Sequence, residues 1–190
     1  MLEQLLAWDK SLFLALNLMG STTYDPLWLW FSEKSTNAVV YLSFVVIYGI
    51  KKGWKSAFYL LLIASLLVGV TDQVTNLFKD SFGRLRPCYT PEIQDIMRLV
   101  KASCGGQFGF FSGHASNSFS LAMFFSRVFQ RQKWIMPMLL TFAAFIAYSR
   151  VYIGVHYPLD ILCGSILGTV NAFVFYWVIS KMSYKYLPNF

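Results

Sequence analysis

Apolar residues run along this chain in five long stretches separated by short polar segments. Several stretches approach the roughly 20 residues that a helix needs to cross the core of a bilayer. The pattern therefore predicts an all-α transmembrane bundle of five or six spanning helices. The stretches lie at Ala38–Ile50, Ser56–Phe78, Ala115–Phe129, Trp134–Val151 and Leu159–Ser180.

The N-terminal part of the chain gives a weaker signal. Leu5–Met19 is apolar but also contains Asp9, Lys10 and Asn17. Such a mixture is typical of an amphipathic helix that lies in the membrane interface, and it disfavours a span.

Composition agrees with a membrane protein. Hydrophobic residues make up 56% of the 190 residues and charged residues only 13%, whereas globular domains average about 45–50% and about 25%. A soluble protein of this size could not cover its surface with so few charges. The net charge of +7 comes largely from short loops between apolar stretches, which disfavours a nucleic-acid surface.

Basic loops also predict the orientation. Lys51 and Lys52 follow the first stretch, and Arg131 and Lys133 lie between the third and the fourth. These positions fall on one face, which the positive-inside rule makes cytoplasmic. The opposite face also carries cations, contrary to the rule, and anion binding would account for them.

Three short blocks on that outer face contain the residues suited to chemistry. The blocks are Lys79–Pro87, Phe111–His114 and Ser149–Asp160. Both histidines of the chain lie in them, at positions 114 and 156. Because each block borders an apolar stretch at the same membrane face, their side chains can converge.

The residue types in these blocks suit phosphoryl transfer. Lys79, Arg86 and Arg150 can neutralise the oxygens of a phosphate. Ser112 and Gly113 precede a predicted helix, whose first N–H groups lack helical acceptors and can bind an anion.

The histidines and an aspartate supply the remaining chemistry. One imidazole can attack phosphorus while the other protonates the departing oxygen. Asp160 comes four residues after His156, about one helical turn, and can accept the ring N–H of that histidine. The histidine would then keep its attacking nitrogen unprotonated.

The three blocks resemble the signature of the type-2 phosphatidic acid phosphatases, which is K-x6-R-P, P-S-G-H and S-R-x5-H-x3-D. The resemblance covers Lys79–Asp160, and every fixed position matches except one. Phe111 stands where the family has proline, and we expect a change in loop stiffness without loss of activity. The residues 79–160 thus form the catalytic region of one membrane domain, 1–190, whose interfacial segment is 1–34.

The resemblance implies a role for each matching residue. His156 would become phosphorylated, His114 would act as general acid, and Asp160 would orient His156. No metal or other cofactor is implied. The phosphate would be held by Lys79, Arg86, Ser112, Gly113 and Arg150.

The expected function is hydrolysis of a phosphate monoester or diphosphate of a membrane lipid, most plausibly undecaprenyl diphosphate or a related lipid phosphate. The alternatives are a lipid A phosphatase, a phosphotransferase, and a non-enzymatic lipid-phosphate binding or transport protein. The expected partners are the lipid substrate and the bilayer, without nucleic acid, and the oligomeric state stays open. The expected location is a bacterial inner membrane, with the site on the periplasmic or extracellular face.

Several residues near the blocks have open interpretations. Arg84, Arg98 and Lys101 lie outside the fixed positions and are predicted to contact lipid headgroups or to be solvated. Asp72 shares a helical face with Lys79 and could either support the site or make a structural hydrogen bond.

The three cysteines divide into two groups. Cys88 and Cys104 lie in the same outer loop, and a disulfide between them is predicted, with two free thiols as the alternative. Cys163 lies in the last apolar stretch and is interpreted as a small core residue.

Overall fold

The computed structural model describes residues 1–186, with side chains through Lys181, and the predicted all-α architecture is confirmed there. The last four residues of the predicted domain lie outside the described residues. Within the described part the chain has no strand, only an isolated antiparallel bridge between Leu85 and Phe108. The helices are α1 (Leu2–Leu18), α2 (Asp25–Ser32), α3 (Lys34–Lys52), α4 (Trp54–Phe82), α5 (Gly113–Val128), α6 (Ile135–Tyr152) and α7 (Pro158–Tyr186).

The five apolar stretches correspond to α3 through α7, and local residue chemistry sets their ends. Gly53 separates α3 from α4 with φ of 92°, a conformation that favours glycine. Gly83 ends α4 in the left-handed region. Pro158 occupies the first position of α7, where its missing N–H costs nothing.

Three of the described helices, α4, α6 and α7, are long and apolar enough to cross a membrane. The integral-membrane prediction is thus supported, whereas the number of five or six spans stays a prediction. Helix α5 has only 16 residues and is rich in serine. Because protein surrounds much of it, α5 does not need an apolar surface on every side.

Helix α5 packs directly against the backbone of α7. A methyl group built on Gly168 would lie 2.0 Å from the carbonyl oxygen of Ser116, and one on Gly164 would lie 2.7 Å from that of Ser112. Glycines four residues apart allow such close approach in membrane helices. The contact fixes the start of α5 beside the start of α7, where Ser112 N donates to Asp160 O at 3.0 Å.

Two of the polar residues of α1, Asp9 and Asn17, are buried against the protein. Phe13 lies four residues from each of them and is buried as well. Leu5 and Trp8 are exposed instead. Hydrophobic patterning alone cannot distinguish a polar side that faces water from one that meets buried polar partners, and the interfacial position of this helix stays a prediction.

Asn17 shows what α1 contributes to the fold. Its side-chain amide donates to the carbonyls of Val151 and Tyr152, at 3.2 and 2.9 Å. Its side-chain Oδ1 accepts from Arg98 N at 2.7 Å. One side chain therefore joins α1 to the end of α6 and to the long loop between α4 and α5.

The long loop between α4 and α5 is tied together by a disulfide. Cys88 and Cys104 are bonded, with their Cα atoms 6.5 Å apart, in agreement with the predicted pairing. Near the bridge, Arg86 N donates to Gln107 O at 3.0 Å. Both ends of the loop are consequently held beside the end of α4.

Candidate active site

The three sequence blocks meet at one cavity of about 890 Å³. Six of the eight predicted site residues line it, and the other two, Ser112 and Asp160, are fully buried behind its wall. The convergence expected from the sequence is therefore present. The lining members of the predicted set are Lys79, Arg86, Gly113, His114, Arg150 and His156.

Arg86 is oriented by the backbone of the disulfide-linked loop. Its Nε donates to Phe108 O at 3.2 Å, and its Nη1 donates to Cys104 O at 3.0 Å. These contacts fix the plane of the guanidinium, which is the property that two-point recognition of a phosphate requires.

Lys79 lies in the last turn of α4 and is held by a polar network. Its Nζ donates to Asn76 Oδ1 at 2.9 Å. Asp72 accepts from both Asn76 and Asn117, at 3.4 Å each. Asp72 thus does both things considered from the sequence, since it links α4 to α5 and supports the partner of Lys79.

The start of α5 is suited to binding an anion. Ser112 is the N-cap, and its hydroxyl oxygen accepts from Ala115 N at 3.5 Å. A methyl group on Gly113 would lie 3.5 Å from Lys79 Nζ. The absence of a side chain at Gly113 thereby leaves space for a ligand between helix N–H groups and an ammonium.

Arg150 reaches the cavity from the last turn of α6. It is 5% exposed, and one terminal nitrogen donates to the hydroxyl of Ser32. Its Nε is buried and has no partner within the described part of the protein. A buried donor of this kind needs an acceptor, and a phosphate oxygen would supply one.

His156 is held by Asp160 in the predicted way. The atoms His156 Nδ1 and Asp160 Oδ2 are 3.3 Å apart, and the same oxygen accepts from Tyr157 N at 2.9 Å. Because an ionised carboxylate only accepts, Nδ1 carries the ring proton and Nε2 keeps its lone pair.

The electrostatic surroundings of His156 favour this neutral form. Burial lowers the pKa of His156 well below its ordinary value of 6.5, and the positive charges of Arg86, Arg150 and Lys79 lower it further. His114 lines the same cavity from α5. The two imidazoles therefore approach the cavity from different elements, as a nucleophile and a proton donor would.

Arg84 is the main site residue that the sequence analysis placed wrongly. It is mostly buried, and it binds Asp9 at 2.6 Å and Asp160 at 2.9 Å. The prediction of headgroup contact failed because no local pattern links Arg84 to α1, which lies 75 residues away in sequence. One signal was present in the sequence. Side chains two residues apart in an extended segment point to the same side, so Arg84 could have been expected near the site that contains Arg86.

Arg98 was also predicted to be solvated or in contact with headgroups. Instead it forms an ion pair with Asp25, with 3.0 Å between Nη2 and each carboxylate oxygen. Lys101 is partly exposed, borders the cavity, and lies 3.5 Å from Glu33. Lys101 is therefore available to a headgroup, and that part of the expectation stays a prediction.

Gly109 is a further residue whose importance the sequence did not reveal. A methyl group there would lie 3.1 Å from both Arg86 Cγ and Asp160 Oδ2, and 3.4 Å from His156 Nδ1. These are tight contacts, so a side chain would displace the groups around His156. Glycine at this position lets the loop backbone pack onto them.

Residues 53–184 match the PAP2 superfamily. This chain belongs to that superfamily. The matched region contains all three blocks, so the resemblance expected from them is confirmed. The protein is therefore a PAP2-type membrane lipid phosphatase, and the alternative of a non-enzymatic binding or transport protein is wrong.

Curated relatives cover most of the chain. A lipid A 4'-phosphatase of Porphyromonas gingivalis is 35% identical over 89% of this chain and 72% of its own length. A lipid A 4'-phosphatase of Bacteroides thetaiotaomicron is 34% identical over 96% of this chain and 82% of its own length. An undecaprenyl-diphosphatase of Sulfolobus acidocaldarius matches at 43% identity, but over only 22% of this chain and 20% of its own length.

A solved structure shares the fold. The crystal structure of a transmembrane PAP2-type phosphatidylglycerolphosphate phosphatase from Bacillus subtilis superimposes with a TM-score of 0.73. It covers 94% of this chain and 87% of that one at 20% identity. The helical arrangement described above is thus that of a known membrane phosphatase fold.

Proposed function

We propose that this protein hydrolyses a phosphate monoester of a lipid A-type glycolipid through a phosphohistidine at His156. The observation that carries the proposal is a single cavity that joins the phosphate-binding cations and both histidines to a long apolar wall. That wall is formed by α3, α4 and α5, and its apolar side chains include Leu42, Val45, Leu61, Val68 and Leu121. A water-soluble phosphate ester would not need such a wall, whereas acyl chains would.

The first half of the reaction forms the covalent intermediate. His156 Nε2 attacks phosphorus while Lys79, Arg86 and Arg150 balance the charge on the phosphate oxygens. The bond from phosphorus to the lipid oxygen breaks as the bond to nitrogen forms. His114 gives its proton to that oxygen, and the dephosphorylated lipid leaves.

The second half regenerates the enzyme. His114, now neutral, accepts a proton from water as the water oxygen attacks the phosphohistidine. The phosphorus–nitrogen bond breaks, inorganic phosphate forms, and His156 recovers its lone pair. Asp160 stabilises the positive charge that the ring of His156 carries in the intermediate, through the contact at Nδ1.

The relatives favour lipid A over undecaprenyl diphosphate. Both lipid A 4'-phosphatases align over most of this chain, whereas the undecaprenyl-diphosphatase aligns over a short segment. We therefore place the substrate that the sequence analysis treated as an alternative first, and undecaprenyl diphosphate second. We also propose that the protein lies in an inner membrane with this cavity facing outward, because the basic loops lie at the opposite ends of the helices.

A phosphate-release assay tests this proposal. The purified protein in mixed micelles would be offered lipid A bearing both phosphates, lipid A bearing only the 1-phosphate or only the 4'-phosphate, undecaprenyl diphosphate and phosphatidic acid. We expect the fastest release from a lipid A species, with product mass identifying the position. Faster release from undecaprenyl diphosphate would reverse the order of the two candidates.

One variant and one quench experiment test the mechanism. His156→Asn should lower kcat by at least about 10³-fold, since loss of a nucleophile removes the covalent route. Wild-type protein quenched during turnover should carry phosphate on His156 that is labile to acid and stable to base. Transfer of phosphate to an added alcohol in place of water would instead indicate a phosphotransferase.

A further inference from the structure

Arg84 lies between two buried carboxylates, one on α1 and one on α7. Its Nη2 is 2.6 Å from Asp9 Oδ2, and its Nη1 is 2.9 Å from Asp160 Oδ1. Asp9 is 4% exposed and Asp160 is fully buried. The two carboxylates therefore share one guanidinium at a site removed from water.

We propose that Asp9 and Arg84 are positioning residues that hold Asp160, and through it His156, in the geometry required for phosphoryl transfer. The inference rests on the proposed function. It adds to it a dependence on α1, which lies outside the three sequence blocks and outside residues 53–184 that match the superfamily.

The two oxygens of Asp160 have separate partners. Oδ2 accepts from Tyr157 N and lies 3.3 Å from His156 Nδ1, while Oδ1 accepts from Arg84. Rotation of the carboxylate would break contacts on both sides at once. Arg84 thus restrains the rotation that would move the acceptor away from the nucleophile's ring.

Arg84 is itself restrained on more than one side. Its Cζ lies 4.2 Å from the centre of the Tyr157 ring, a cation–π distance. The hydroxyl of Tyr157 donates to Thr90 Oγ1 at 2.9 Å, which fixes the ring. Asp9 completes the arrangement from the side of α1.

Asp9 holds the backbone beside Asp160 as well. Its Oδ1 accepts from Leu159 N at 2.9 Å, while its Oδ2 binds Arg84. Replacing Asp9 with asparagine keeps the size and one acceptor oxygen but removes the negative charge. That substitution separates the ion pair from the packing of α1.

Steady-state kinetics of three variants test the proposal. Asp9→Asn and Arg84→Lys should each lower kcat by about tenfold or more, as the loss of outer partners that orient an active-site ligand does. KM should change less than twofold, because the cations that bind phosphate are untouched. Asp25→Asn breaks a comparable ion pair with Arg98, remote from Asp160, and should leave kcat within twofold of wild type.

A double-variant cycle separates positioning from folding. In an Asp160→Asn background, Asp9→Asn should lower kcat little further, because its effect passes through Asp160. If Asp9 had only a structural role, Asp9→Asn would lower kcat by the same factor in the wild-type and Asp160→Asn backgrounds, or would lower it no more than Asp25→Asn does. Either result would overturn the proposal.

A readout without substrate keeps this inference distinct from the proposed function. In thermal unfolding, Asp9→Asn and Asp160→Asn should destabilise more together than the sum of their separate effects, because Arg84 keeps one carboxylate in each single variant and none in the double variant. Additive effects would contradict the shared guanidinium. Failure of wild-type protein to act on any lipid A species, with this coupling present, would count against the substrate alone.

Discussion

At the residue scale, the neutral state of His156 has a measurable consequence for pH dependence. Burial and neighbouring cations lower the pKa of its imidazole below 6.5. As pH falls, the nucleophile stays unprotonated until the pH passes through this lowered pKa. The rate of phosphohistidine formation, measured by rapid quench, should therefore hold through pH 6.5 and decline only below it.

Ionisation of the substrate phosphate could also change the rate with pH, so the measurement needs a control for it. Repeating the quench with esters of different phosphate pKa should leave the acid limb of the enzyme in place. A limb centred at 6.5 or above for every ester would contradict the surroundings described for His156.

Gly113 offers a second test at this scale. Gly113→Ala places a methyl group at ordinary contact distance, 3.5 Å from Lys79 Nζ, so the fold should be kept. The methyl group occupies the space proposed for phosphate, and kcat/KM should fall by about 10²-fold. Gly106→Ala adds a methyl where nothing lies within 4 Å and serves as the matched control for the same activity and unfolding measurements.

The sequence predicted that the candidate site residues converge, which the cavity shows, but it did not reveal the residues that hold them in place. Residues such as His156 and Arg86 are restricted by the reaction, so fixed spacings reveal them. Arg84 and Asp9 are held by tertiary contacts with each other, with Asp160 and with neighbouring residues of α7, and no sequence spacing relates these positions. Arg98 failed as a prediction for the same reason, since its partner Asp25 is 73 residues away.

At the element scale, the contact between α5 and α7 predicts where glycine is essential. Gly168→Ala would bring a methyl group within 2.0 Å of the backbone of Ser116, and backbone cannot move aside easily. We expect a loss of at least about 1–3 kcal/mol in stability, the usual cost of overpacking. Gly69→Ala in α4, where nothing lies within 4 Å, should be neutral or slightly stabilising.

Thermal unfolding in detergent measures both variants. Equal melting temperatures for Gly168→Ala and Gly69→Ala would show that α5 and α7 can separate at no cost. That result would mean that the contact between α5 and α7 is not what fixes Ser112 beside Asp160.

The apolar pattern identified α3 through α7 because each of these helices consists mainly of apolar residues, whether they face the protein or the membrane. It could not show the direction in which α1 faces. Leu5 and Asp9 would produce the same pattern with either side outward, and only the partners of Asp9 decide between them. Loop geometry was similarly hidden, since the side chain of Arg86 donates to the backbone carbonyls of Cys104 and Phe108, 18 and 22 positions later.

The disulfide can be tested at the scale of that loop. Cys88→Ser with Cys104→Ser should lower stability by about 3 kcal/mol in the chain-entropy description of a loop this long. Activity should fall as well, because Arg86 is bound to the carbonyl of Cys104. Cys163→Ser removes a thiol outside the bridge and is the control, and non-reducing mass spectrometry should find only this thiol free.

At the scale of the whole molecule, the family and the donor set predict catalysis without a metal. No group of three or more histidine, cysteine, aspartate or glutamate side chains that could hold a metal ion occurs within the described residues. EDTA should leave kcat unchanged, whereas vanadate should inhibit by occupying the position of the transferred phosphoryl group. Full restoration of EDTA-treated protein by magnesium alone would count against the cation-based site.

The position of α1 also has a consequence for the order in which the molecule is assembled. Asp9 and Asn17 are synthesised first, yet their partners at Leu159 and Val151 follow 150 and 134 residues later. Until those partners are inserted, the two polar side chains remain in water, because burying them unpaired is costly. In a chain that ends at residue 132, the thiol introduced by Asp9→Cys should therefore react with a water-soluble maleimide, whereas in the full chain it should be protected. Protection that begins only once the chain extends past Leu159 would show that the first helix docks after most of the later helices have been made.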